Sequence, residues 1–209
     1  MTRKYIYPFT WSVIILVNVY FIYNFPLRYF NYKAWLKPFG PLLLTHIVFG
    51  IIALLAGPVQ FFPSIRKQYL KFHRTTGKIY LLSVLMGAVS AMVLAVSNAI
   101  ITQNRIIFGT GLIGLSVAWL LTSGMALSAI KNGNLPQHRE WMIRSYVVTC
   151  GFTTFRIFAV TLTSYLHLPY EDMSQIMAWA CWSVPLLFTE IILQARNMRQ
   201  SNVLLRTNL

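Results

Sequence analysis

The chain has 209 residues, of which 56% are hydrophobic and only 11% are charged. Soluble domains carry about 25% charged residues, so this composition excludes a water-soluble fold and suits one bundle of membrane helices. A net charge of +14 can mean a nucleic-acid partner, but the 18 basic residues sit in gaps between apolar runs rather than in one patch, which argues against it.

An all-α integral membrane bundle of about six transmembrane helices is therefore the expected fold class, with 1–209 as one domain. Residues 5–27 carry no charge after Arg3 and Lys4. No small-residue cleavage site follows them, so they read as an uncleaved first span rather than a signal peptide. Charge-free runs over 38–65, 79–104 and 106–130 supply spans two to four. Each exceeds the about 20 residues needed to cross hydrocarbon. A fifth span over 141–166 contains Arg144 and Arg156, and a sixth over 173–195 contains Pro185 and Glu190. Pro185 is a candidate kink.

Six spans place thirteen of the 18 basic residues on one side, four on the other and Arg156 within the membrane. The positive-inside rule then orients both termini toward the cytoplasm of a cell membrane. The Thr76 loop lies inside on this reading, and the Tyr32 and Leu168 loops outside. Tyr29, Phe30, Tyr32 and Trp35 cluster where the outer end of span one falls, and Trp141 and Tyr146 at the inner start of span five, as in an interfacial aromatic belt. Gly50, Ala53 and Gly57, Ser83, Gly87 and Ala91, and Gly111 with Gly114 recur at helical spacing. They predict close packing of spans two to four.

Arg156 is the sharpest chemical signal. An arginine at mid-membrane costs about 2.5–3.5 kcal/mol and usually faces a partner or a cavity. It lies about 22 Å along its helix from the inner start. Glu190, the one carboxylate within a span, is about 15 Å away in depth, so it is not the partner. His46 comes to nearly the same depth as Arg156, and Tyr146, Thr149, Thr153 and Arg156 form one polar stripe. A pocket lined by His46 and Arg156 is one reading. A histidine bonded between helices and an arginine snorkelling to the headgroups are the plainer ones.

His73 and His138 each precede a span on the inner side. They occupy matching places in a weak repeat, His73-Arg74 with Gly77-Lys78-Ile79-Tyr80 and His138-Arg139 with Met142-Ile143-Arg144-Ser145-Tyr146. Facing each other they could hold haem b axially; as surface residues they would simply be solvated. His167 reads as interfacial. Cys150 and Cys181 lack metal-ligand spacing. His138 with Glu140 is not H-E-x-x-H, and no phosphate-binding or nucleophile motif occurs.

Several segments together resemble a family of polytopic membrane proteins, domain of unknown function 2306. They are Thr45-His46-Ile47-Val48-Phe49-Gly50, Gly57-Pro58-Val59-Gln60-Phe61 with Arg66, His73-Arg74-Thr75-Thr76-Gly77-Lys78-Ile79-Tyr80, and His138-Arg139-Glu140-Trp141-Met142-Ile143-Arg144-Ser145-Tyr146 with Arg156. The resemblance spans about residues 40–160. It implies a multi-span bundle with His46, His73, His138 and Arg156 as polar signature positions, and no activity. His167 is outside the match. The inner helices are loosely similar in architecture to diheme b-type cytochromes. The expected function is an intramembrane site for haem, a quinone or a lipid-like molecule, with a small hydrophobic or anionic ligand as partner beside the bilayer. A small transporter or channel-like component and a ligand-free scaffold subunit are the competing readings.

Overall fold

A computed structural model describes residues 3–24, 37–166 and 169–207, and no strand occurs among them. The helices are α1 (Arg3–Asn24), α2 (Gly40–Phe61), a short α3 (Pro63–Gln68) and α4 (Leu70–Leu94), which continues as a π-helix (Ala95–Thr102). They are followed by α5 (Ile106–Lys131), α6 (Leu135–Thr149), α7 (Gly151–Leu166) and α8 (Tyr170–Thr207). Helix is what lipid demands, because no water is there to satisfy backbone groups that the chain leaves open.

Four helices are long and apolar enough to cross a membrane: α2, α4 with its π-helical end, α5 and α8. α6 and α7 add a fifth span as a pair bent by 42°. The apolar part of α1 within the search, Thr10–Asn24, is shorter than a span. Tyr29, Phe30, Tyr32, Trp35, His167 and Leu168 lie outside the described residues. Apolar side chains point outward at helical spacing, as Leu82, Leu85, Val89 and Val93 do on α4 and Leu187, Phe188, Ile191 and Ile192 on α8. Such faces are uncovered by protein and belong against lipid.

Three boundaries differ from the sequence reading. α4 starts at Leu70, so His73, Arg74 and Thr76 stand on its first turns rather than in a loop. α6 starts at Leu135 and α8 runs unbroken through Pro185 to Thr207. Charge marks where a helix leaves the hydrocarbon, whereas Lys, Arg and Gln continue a helix well in water. The fifth span is also two helices rather than one. At the break the Thr149 hydroxyl donates to the Ser145 carbonyl at 2.8 Å, a back-bond that bends helices. Gly151 follows at the point where a Cβ would come within 3.1 Å of Leu115, so α7 leaves the bend hard against α5.

Small residues set much of the packing, but Gly57 meets α6 and Gly111 and Gly114 meet α8, rather than another of spans two to four. Ala53 of α2 and Tyr80, Val84 and Ala88 of α4 are fully buried in one cluster with Trp119, Ala126, Met142, Tyr146 and Val148. At Gly111 a Cβ would sit 3.0 Å from the backbone of Ala178, so α5 and α8 cross nearly in contact. At Gly57 it would sit 2.2 Å from the Tyr146 ring.

Pro58 explains why Tyr146 lies there. A proline inside a helix has no N–H for the carbonyl four residues back, which is that of Leu54. Tyr146 supplies the missing donor, its hydroxyl reaching the Leu54 carbonyl at 3.2 Å. Trp11 and Phe61 stack at 4.7 Å, and both rings lie against Tyr146, at 5.8 and 5.7 Å. The Gly57-Pro58 pair thus makes a seat and an acceptor for one side chain of α6.

Candidate functional site: an intramembrane cavity

Between α2, α4, α5 and α7 lies a cavity of about 300 Å³, at the small end of the range for small-molecule sites. Its polar lining includes His46 from α2 and Arg156 from α7, residues 110 positions apart in the chain. The rest is mainly aliphatic and aromatic, with Phe108, Trp119, Phe152 and Phe155 among the walls. The Arg156 guanidinium lies over two of those rings, 5.5 Å from Phe152 and 5.9 Å from Phe155. Cation–π contact favours a charge against the apolar walls of such a chamber. Gly50 also lines the chamber, and a Cβ there would meet nothing within 4 Å.

His46 is both an interhelical histidine and a cavity residue. Its Nδ1 lies 2.9 Å from the Gly87 carbonyl of α4. A carbonyl can only accept, so Nδ1 carries the hydrogen and the neutral ring keeps its lone pair on Nε2.

Beside the cavity runs a buried polar lattice with members on five helices, α1, α4, α5, α6 and α7. Tyr80 Oη meets Thr149 Oγ1 at 2.8 Å and Ser145 Oγ at 2.7 Å. Trp119 Nε1 donates to Thr149 Oγ1 at 2.8 Å, and Ser123 Oγ meets Ser145 Oγ at 2.7 Å. Asn18 of α1 donates to Tyr146 Oη at 3.3 Å and accepts from Thr153 at 2.5 Å. Of the expected stripe on span five, Tyr146, Thr149 and Thr153 are buried in this lattice, and Arg156 beyond the bend reaches the cavity. Asn18 was not singled out by sequence reasoning, and Tyr80 was read only as part of a motif. An Asn in the middle of a charge-free run was the available signal for the first, since a buried amide in lipid needs a partner.

His73 and His138 do not line the cavity. They lie at the Lys131 end of the bundle, near enough to interact electrostatically. His138 Nδ1 donates to the Ala126 carbonyl at 2.8 Å, which leaves Nε2 as a potential ligand atom. His73 is set differently. The Gln60 amide accepts from the Gly77 N–H at 3.1 Å and donates to His73 Nδ1 at 3.2 Å. In that arrangement His73 bears its hydrogen on Nε2, whereas His138 bears it on Nδ1. No group of three His, Cys, Asp or Glu side chains placed to hold a metal occurs among the described residues.

A second polar site was legible only as isolated charges. Arg144, 7% exposed, donates through Nε to Glu190 at 2.8 Å and lies 3.5 Å from Glu140. Its guanidinium sits over Trp141 at 4.7 Å. Gln194 donates to Glu190 at 2.7 Å and Asn197 to Glu140 at 3.0 Å. Glu190 therefore closes α8 onto α6 and is not a partner of Arg156.

A family model described as "Predicted membrane protein (DUF2306)" matches residues 43–193. The chain belongs to this family. The family is one of membrane proteins, which agrees with the apolar helices described above, and its description assigns no ligand. No curated protein and no solved structure matches the chain. The segments that carry the resemblance are those that interlock here. Gly57-Pro58 receives Tyr146, Gln60 bridges to His73 and Gly77, and Tyr80 bonds Ser145.

Proposed function

We propose that this protein binds an amphipathic small molecule within the membrane, of quinone-like or lipid-like class, with its polar head between His46 and Arg156. One observation carries the reading: two helices distant in sequence bring an imidazole and a guanidinium to one otherwise apolar chamber. A buried cation in lipid is expensive unless something polar shares its space. The ring walls suit a flat head or an acyl chain, and the placement of His73 and His138 gives no comparable support to haem b.

Filling the chamber tests this. Gly50→Leu projects a side chain into open space, so the bundle should keep its melting temperature. Thermal stabilisation of the detergent-solubilised protein by a decyl-benzoquinone or a lysophospholipid should disappear. Stabilisation that survives in Gly50→Leu would place binding elsewhere. A Soret band in protein made with haem precursor, lost in His138→Ala, would assign haem to the inner end instead.

We further propose six spans with both termini in the cytoplasm, α1 being the sixth span. The support is the distribution of the basic residues. Thr75 and Gln103 are exposed near opposite ends of α4 and its π-helical extension. A cysteine at Gln103 should react with an impermeant maleimide on intact cells and one at Thr75 should not. The reverse pattern would invert the orientation.

A further inference from the structure

We infer that the end of the bundle where α3 meets α4 holds the head group of an anionic phospholipid, its phosphate received by Arg66, His73 and Arg74. This site is separate from the chamber between α2 and α7 and does not depend on it.

The local fold brings the donors together. α3 carries Arg66 and Lys67 in its last turn. The backbone then leaves helical geometry at Tyr69, with φ −126° and ψ 58°, and α4 begins at Leu70. Across that elbow Arg66 comes near enough to His73 to interact electrostatically, as Arg74 and His138 do. His73 keeps a donor available without taking up a proton. Its Nδ1 accepts from the Gln60 amide at 3.2 Å, so the hydrogen of the neutral ring is on Nε2.

No carboxylate of the chain neutralises this group. The sequence has four acidic side chains. Glu140 and Glu190 are engaged by Arg144. Glu171 and Asp172 stand in the first turn of α8, at the end of the bundle where Arg105 donates to Ser174. No ion pair to Arg66, Lys67, Lys71 or Arg74 occurs among the described residues. Like charges gathered without a counterion repel, and an anion from outside relieves that repulsion. A guanidinium fork matches phosphate oxygens in pairs. Two forks and an imidazole N–H therefore suit a phosphodiester.

The apolar neighbours decide which anion it is. Tyr69, Leu70 and Phe72 are exposed and interleave with the exposed Lys67 and Lys71. Aromatic and aliphatic side chains among cations belong at the headgroup boundary of a bilayer, where acyl chains can lie along Leu70 and Phe72. A soluble phosphate gains nothing from those side chains. A zwitterionic lipid would bring an ammonium to a place that offers only cations, whereas an anionic lipid brings an uncompensated negative charge.

The test is native mass spectrometry of the full chain in detergent, titrated with phosphatidylglycerol and with phosphatidylcholine of the same acyl chains. Wild-type protein should bind phosphatidylglycerol about tenfold more tightly. One basic side chain beside an anionic headgroup accounts for about fivefold in affinity, so Arg66→Gln with Arg74→Gln should remove most of the preference. Arg196→Gln with Arg199→Gln takes the same charge from the exposed surface of α8 and should leave the preference within about twofold. Equal binding of the two lipids by wild-type protein would overturn the inference whether or not the variants fold. So would a preference that persists in the first pair, or one that the second pair reduces as much. Displacement of the lipid by glycerol 3-phosphate at equal concentration would overturn the lipid as occupant and assign the site to a soluble phosphate.

Discussion

Arg156→Lys should keep the fold and lose about tenfold to a hundredfold in ligand affinity. The substitution preserves a positive charge that can still contact the rings of Phe152 and Phe155. What it removes is the planar fork of donors, which a lysine ammonium does not reproduce. Charge-assisted hydrogen bonds contribute about 1.5–3 kcal/mol each, so losing one well-placed contact accounts for that range. Arg156→Leu goes further. It removes a cation whose insertion costs about 2.5–3.5 kcal/mol, so the solubilised variant should melt no lower than wild type while binding nothing. Thermal stability and affinity would move in opposite directions, the pattern expected of a residue kept for a ligand. If Arg156 only anchors the outer headgroups, the Lys variant binds and melts as wild type does, because a lysine stem snorkels equally well.

The largest loss of stability should come from Glu190→Leu, a residue outside the cavity. Arg144 is buried and depends on Glu190 at 2.8 Å, with Glu140 more distant at 3.5 Å. Removing one partner of a fully buried pair costs about 3–5 kcal/mol. The Glu190 side chain is 41% exposed, and exposure reduces the value of such a pair, so about 1–3 kcal/mol is expected. The double variant Arg144→Leu with Glu190→Leu should recover much of the loss, because no buried charge is then left without its counterion. Melting curves of the two single variants and the double in one detergent give the coupling. A double variant as weak as the sum of the singles would mean that the pair contributes nothing as a pair.

The two sites were unequally legible in the sequence. Charge-free runs exposed the helices because lipid tolerates few charges, and the depth arithmetic brought His46 and Arg156 to one level before any helix was placed. Both line the same chamber. Glu190 was correctly separated from Arg156 by depth, yet its pairing with Arg144 was not legible, because depth says nothing about rotation around a helix axis. His73 was read as a loop residue since charge ends a span, but it does not end a helix. Cys150 at the bend carries no proline signal; the bend involves a local hydroxyl back-bond and close contact with α5, and the second is tertiary. Pro58 was visible as part of a motif, and only the position of Tyr146 relative to the Leu54 carbonyl explains it.

The central claim, a ligand chamber between α2 and α7, is tested most directly by photolabelling. A diazirine-bearing decyl-hydroquinone, irradiated with the protein in native membranes, should label peptides covering residues 43–54 and 151–156. Excess unlabelled probe should suppress that labelling. Label confined to the lipid-facing side chains of Leu82, Leu187 and Ile191, and indifferent to competitor, would contradict the chamber as a binding site.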